Sequence, residues 1–103
     1  MSLLPFAPRA LRESRVATEW ISQQNPTAAQ ALVTEAVRAA ERLVGQPKIG
    51  RHRPDLLAEP YRFWSLRGFP YLLVYDAAAQ PPRILRVLHM ARDLGSLLDD
   101  IDA

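Results

Sequence analysis

The sequence predicts a single α+β domain in which an N-terminal helical hairpin packs on one face of a small, mainly antiparallel sheet. Apolar residues recur at three- and four-residue spacing from Ala29 to Val44, as they do on the core-facing side of a helix. Three apolar runs joined by short links follow, and this pattern is typical of an antiparallel meander. A chain of 103 residues fits one domain, and the predicted element order is β-α-α-β-β-β.

The first half of the chain is predicted to contain a short strand and two helices. These elements are expected at residues 2–7 for the strand and at residues 8–24 and 26–45 for the helices. Pro5 lacks a backbone donor and therefore restricts the strand to a sheet edge. Pro8 suits the first turn of a helix, and Asn25 followed by Pro26 suits the start of the next one. Gly45 is expected to end that second helix.

The second half is predicted to form the meander. Its strands are expected at residues 61–66, 69–76 and 83–89, followed by an acidic tail at residues 93–103. The run over 69–76 is almost continuously apolar, as a central strand would be. The preceding connection, residues 46–60, is long for a loop, and such length usually indicates function or disorder.

The charge distribution indicates an acidic protein or a nucleic acid as a plausible partner. From Lys48 to Arg92 there are eight basic residues against three acidic ones, whereas residues 93–103 carry four acids and no base. Twelve of the thirteen cations are arginine, which pairs with carboxylates and phosphates in a bidentate manner. Codon usage in a GC-rich genome explains the arginine content equally well, and direct sequence-specific binding to a nucleic acid is not predicted.

Several classes of site and location are not expected. With no cysteine, the chain forms no disulfide framework and no thiolate metal site. His52 and His89 lack further ligands at useful spacing, so neither a metal nor another cofactor is expected. There is no apolar run long enough to span a membrane and no signal-peptide pattern, so a cytoplasmic protein is the simplest interpretation.

Polar residues in the predicted sheet are the best candidates for function. Arg86 interrupts an apolar strand, and a buried arginine must be paired. It therefore either meets an acid of this chain or lies on the open face of the sheet, and Arg62 is in the same position. The open face is favoured for both residues, where they would anchor carboxylates of a partner. His89, at a strand end, is more often a structural hydrogen-bonding residue than a catalyst.

Several segments together resemble the ParE branch of the RelE/ParE superfamily of toxins. They are Pro8-Arg9-Ala10, Trp20-Ile21, Arg53-Pro54-Asp55-Leu56, Arg62, Tyr71–Tyr75 and Ile84–Leu94. The resemblance covers essentially the whole chain, and His89–Asp93 is its most specific part. Met90 departs from the pattern, because glycine often follows the histidine in this branch.

The resemblance implies the toxin of a type II toxin–antitoxin module. Such a toxin inhibits growth by binding DNA gyrase and is neutralised by a cognate ParD-like antitoxin in a hetero-oligomer. The RelE branch shares the fold but cleaves mRNA on the ribosome, so a ribosome-dependent endoribonuclease is the alternative. A non-toxic relative that only binds an antitoxin is the second alternative.

Antitoxin binding, target binding and ribonuclease activity are each assigned to a different set of residues. Antitoxin binding is expected at Arg62, Trp64, Arg83 and Arg86. Target binding, or only the family signature, is expected at His89, Arg92 and Asp93. A ribonuclease would draw its acid, base and phosphate-binding groups from His89, Arg86, Arg67 and Tyr75. Catalysis is the minority interpretation, because the His-Tyr or Lys-Arg-Tyr ends expected of the ribonuclease branch are missing after the last strand.

Overall fold

The computed structural model describes residues 5–95 and has the predicted α+β architecture. Its helices are α1, Pro8–Ser22, and α2, Pro26–Gly45. Its strands are β1, Tyr61–Ser65, β2, Tyr71–Asp76, and β3, Arg83–His89. The strands form one antiparallel sheet in the order β1-β2-β3, so β2 is the central strand.

The link between the two helices follows from the capping residue. Asn25 has extended backbone angles, and its side chain accepts a hydrogen bond from the N–H of Ala28 at 3.0 Å. A residue in this conformation cannot also continue the preceding helix. Helix α1 ends at Ser22, two residues before the predicted end at residue 24, and Gln23 and Gln24 form the turn that leads to Asn25.

The first two strands are shorter than predicted because their connection uses more of the chain. The N–H of Leu66 donates to the carbonyl of Tyr71, and the N–H of Phe69 donates to the carbonyl of Leu66. These bonds place residues 66–70 in the turn, so β1 ends at Ser65 and β2 begins at Tyr71. The predicted strands had extended to residue 66 and begun at residue 69.

The N-terminal segment runs beside the free edge of β3. Ile84 donates its N–H to the carbonyl of Pro5 at 2.7 Å and accepts from the N–H of Ala7 at 2.8 Å. Phe6 forms a single parallel bridge with Ile84, so the described part of the predicted strand at 2–7 is a bridge. Residues 2–4 of that strand and residues 96–103 of the predicted acidic tail lie outside the described residues.

The sheet has an apolar cluster on each face. On the face toward the helices, which we call the helix face, side chains of α1 and α2 pack against β2 and β3. On the opposite face, which we call the loop face, Phe63, Val74 and Leu88 form a smaller cluster. Leu56 and Leu57, from the connection over 46–60, cover part of it. This connection is therefore packed against the sheet.

Candidate functional site

Arg62 lies on the helix face and holds the connection over 46–60. Its cross-strand partner is Tyr75, whose side chain packs in the helix-face cluster, and such partners share a face. Its guanidinium donates to the carbonyl of Gly50 at 3.1 Å and to a carboxylate oxygen of Glu59 at 3.0 Å. The expectation that Arg62 lies on the open face is therefore wrong, because acceptors of its own chain occupy it.

Tyr75 fixes the same connection from inside the core. Its side chain is completely buried, and its hydroxyl donates to the carbonyl of Pro47 at 2.6 Å. The same hydroxyl accepts from the N–H of Gly50 at 2.9 Å. Burial raises the pKa of the Tyr75 phenol above its ordinary value of 10.0. Both polar functions of the hydroxyl are therefore used in the fold.

The raised pKa of Tyr75 predicts how its contribution to stability changes at alkaline pH. Replacing Tyr75 by phenylalanine should lower the free energy of unfolding by about 1–3 kcal/mol at pH 7, because two buried hydrogen bonds are lost. Because the pKa of this phenol is lower in the unfolded chain than in the folded protein, the phenol ionises in the unfolded chain at a lower pH. Its contribution to the free energy of unfolding is therefore complete below about pH 10 and declines as the pH rises further. Urea titrations of both proteins between pH 8 and pH 11.5 should show their stabilities converging at the alkaline end. A constant difference would contradict the assignment.

Arg86, which is buried, forms an ion pair with the partly exposed Glu13 of helix α1. It is 3 % exposed, and its Nε and Nη2 atoms donate to one carboxylate oxygen of Glu13 at 2.9 and 2.7 Å. The other oxygen accepts from the backbone N–H of Val87 at 2.8 Å. Arg86 shares a face with its cross-strand partner Val74, on the loop face, and reaches Glu13 around the edge of β3.

This geometry corrects the favoured role of Arg86: the residue lies on the loop face, but its carboxylate partner belongs to the same chain. The sequence left two possible carboxylate partners for Arg86, an acid of this chain or an acid of another protein. In the structure the partner is Glu13 of the same chain. A guanidinium that is buried and bonded to Glu13 is not presented to a partner. Arg86 is therefore better explained as a link between α1 and the sheet than as an anchor for antitoxin carboxylates.

His89 and Asp93 close the corner after β3. The Nδ1 atom of His89 accepts from the backbone N–H groups of Ala91 and Arg92, both at 3.2 Å. The carboxylate of Asp93 accepts from the N–H of His89 at 3.0 Å. The imidazole meets the ring of Tyr71 edge-on, with centroids 5.3 Å apart. These contacts shape the turn, whereas the side chain of Arg92 is exposed.

The remaining candidates lie apart from this corner. Trp64 lies on the helix face, where the Arg42 guanidinium is 5.7 Å from its ring centroid, and it also borders a groove on the sheet. Arg83 is exposed at the start of β3, opposite Asp76. Arg67 is exposed in the turn between β1 and β2.

The structure does not gather the four residues named for a ribonuclease. Tyr75 is buried under the helices, and Arg86 is bonded to Glu13. His89 packs against Tyr71, and Arg67 is in a surface turn. Residues 5–95 also bring together no group of three His, Cys, Asp or Glu side chains that could hold a metal ion. Nor does any helix within this range have the length and hydropathy of a membrane span.

The loop face, which the sequence predicts to be open, carries a groove whose lining residues were not identified from the sequence. The groove encloses about 640 Å³ between the connection over 46–60 and the corner after β3, and we call it the sheet groove. Its apolar lining residues include Leu56, Phe63, Leu72, Met90 and Leu94. Arg51 and Arg53 add cations, and Arg53 forms a bidentate pair with Asp55 at 2.6 and 2.9 Å. This pairing lowers the pKa of the Asp55 carboxyl.

Comparisons with known proteins agree with the fold. Residues 4–94 match the sequence model of the family described as the ParE toxin of the type II toxin–antitoxin system parDE. The structure is similar to a chain from the chromosomal ParDE toxin–antitoxin system of P. aeruginosa, with a TM-score of 0.68 and 18% sequence identity. That similarity covers 82% of this chain and 90% of the other. A comparison with curated proteins found no match.

Proposed function

Because the chain belongs to the ParE toxin family of type II toxin–antitoxin systems, we propose that it arrests growth by binding DNA gyrase. A ParD-like antitoxin neutralises it in a hetero-oligomer, and both proteins act in the cytoplasm, where gyrase meets the chromosome. The family match over residues 4–94 carries this proposal.

The positions of the polar residues support binding over catalysis. General acid–base cleavage of RNA requires an acid and a base within hydrogen-bond reach of the same phosphodiester. The phenol of Tyr75 is bonded to Pro47 and Gly50. The guanidinium of Arg86 is bonded to Glu13. Neither group is available to a substrate in this arrangement.

The sheet groove is the surface that best fits the antitoxin. An apolar trough lined by Phe63, Leu72 and Met90 can bury one side of an extended or helical segment. The exposed Arg51 at the groove offers a cation to carboxylates of that segment, and Arg83, exposed at the other end of β3, offers one to a segment that continues past the groove. Trp64 borders the same groove. We therefore propose that the antitoxin contacts Trp64, Arg83 and the residues that line the sheet groove.

Expression in a bacterial host and a supercoiling assay test this function. The protein expressed alone should arrest growth, and co-expression of the antitoxin from the adjacent reading frame should restore it. Purified protein should inhibit supercoiling by gyrase or trap cleaved DNA, and the same protein premixed with antitoxin is the control. Transcripts truncated on ribosomes with gyrase unaffected would replace the proposal with a ribonuclease. Normal growth with folded protein would indicate a non-toxic relative.

A further inference from the structure

Helix α1 carries a ridge of side chains that the packing of residues 5–95 leaves exposed. Arg12, Val16 and Trp20 follow one another at four-residue spacing and therefore form one row, about 12 Å long, on the helix surface. Val16 is 65 % exposed and Trp20 is 54 % exposed, the highest values among the large exposed hydrophobic residues of the described chain. We call this row the α1 ridge.

A shallow groove separates the ridge from the corner after β3. It encloses about 180 Å³, and its apolar walls come from Val16, Ala17, Tyr71 and Val87. Arg12 lies on the helix side of this groove and Arg92 on the strand side. The surface therefore combines protruding apolar side chains with one arginine on each side of the groove.

The two acids that also line this groove are engaged within the fold. The carboxylate of Glu13 is bonded to Arg86 and to the N–H of Val87. The carboxylate of Asp93 accepts from the N–H of His89. In contrast, the exposed guanidinium groups of Arg12 and Arg92 form no ion pair or side-chain hydrogen bond within residues 5–95. The charge available to a partner here is positive.

We propose that the α1 ridge and its groove form the surface that contacts the toxin's target. The partner is a folded protein surface with an apolar recess for Trp20 and carboxylates for Arg12 and Arg92. Tryptophan and arginine are the residues that most often dominate the binding energy of an interface. This inference rests on the proposed function, because it takes gyrase as the partner to be tested.

The shapes of the two surfaces favour this assignment. The sheet groove is a trough of about 640 Å³ that suits a linear segment, whereas the α1 groove holds only about 180 Å³ and Trp20 protrudes beside it. A protruding anchor needs a pocket, and a folded partner provides one. A nucleic acid is disfavoured, because its affinity depends on many phosphate contacts and the ridge and groove offer two uncommitted cations.

Purified gyrase holoenzyme is the probe. Val16→Asp and Arg12→Glu should each raise the concentration needed for half-inhibition of supercoiling by at least about 30-fold, the loss expected for an interface hot spot. The matched controls are Val33→Asp and Arg38→Glu, which make the same changes at exposed positions of α2, although Val33 is 38 % exposed against 65 % for Val16. These controls should inhibit like the wild-type protein. Circular dichroism and antitoxin affinity should be unchanged in all four variants.

Several results would overturn the inference. Ridge variants that inhibit gyrase normally would remove the surface from the target interface. Ridge variants that lose antitoxin affinity, DNA affinity or self-association would assign it to another partner. If the wild-type protein arrests growth without affecting gyrase, the proposal that gyrase is the target is wrong, but the proposed contact surface can still be tested. The ridge variants are then compared with the wild type by their ability to arrest growth. Ridge variants that then still arrest growth overturn the inference, and loss of arrest by folded ridge variants supports it.

Discussion

Replacing Glu13 by alanine is expected to lower the free energy of unfolding by about 3 kcal/mol, the lower end of the cost of breaking a buried ion pair by removing one partner, because the Glu13 side chain is itself 23 % exposed. The guanidinium of Arg86 is 3 % exposed, so water does not readily replace the lost carboxylate. The N–H of Val87 loses its acceptor in the same variant. Because small domains are stable by only about 5–15 kcal/mol, much of the protein would unfold under mild conditions.

Urea titration followed by circular dichroism measures this effect. Glu19→Ala is the control, since it removes an exposed glutamate from the same helix and should change stability by no more than about 0.5 kcal/mol. Replacing both members of the pair, as Glu13→Leu with Arg86→Met, should recover much of the loss because no buried charge is left unpaired. Equal stability of Glu13→Ala and the wild type would show that the pair does not link α1 to the sheet.

Gly50→Ala is expected to cost about 3 kcal/mol, at the upper end of the usual range for overpacking. A Cβ at this position would lie 2.6 Å from Cε1 and 2.8 Å from Cζ of the Tyr75 ring. The ring cannot move aside easily, because it is completely buried and its hydroxyl is bonded to Pro47 as well as to Gly50. The substitution therefore displaces either the core or the connection over 46–60.

Thermal unfolding provides the measurement for this position. For a domain of this size, a loss of about 3 kcal/mol corresponds to a decrease in Tm of more than about 10 °C. Gly45→Ala is the matched control, because a Cβ at Gly45 meets nothing within 4 Å. Since Gly45 is helical, alanine there should leave Tm unchanged or raise it slightly. If the two variants melt at the same temperature, the contact with Tyr75 does not limit this position.

The helices and strands were predictable because their signals are local. The Asn25-Pro26 pair and the spacing of apolar residues in α2 act within one element, and the structure has that helix at Pro26–Gly45. The partner of Arg86 could not be identified in the same way, because Glu13 lies 73 residues earlier in the chain. A signal was nevertheless present: Glu13 is three residues after Ala10 and four before Ala17, the two buried residues of α1.

The sheet groove was not predictable because its walls depend on contacts with backbone atoms. Arg62 donates to the carbonyls of Lys48 and Gly50, and Tyr75 donates to that of Pro47. Every residue has a carbonyl group, so such partners leave no pattern in the sequence. The path of the connection over 46–60 therefore cannot be read from the sequence. The groove that this path forms against the sheet cannot be read from it either.

The edge of β3 has a consequence for how the free protein behaves at high concentration. Its outward N–H groups find acceptors outside the sheet: the carbonyl of Pro5 for Ile84, the carboxylate of Glu13 for Val87, and that of Asp93 for His89. Unpaired strand edges are templates for strand addition between copies, which leads to domain swapping and amyloid. We therefore expect Glu13 to protect against aggregation as well, because its carboxylate occupies the N–H of Val87 at the edge from which a second copy would extend the sheet.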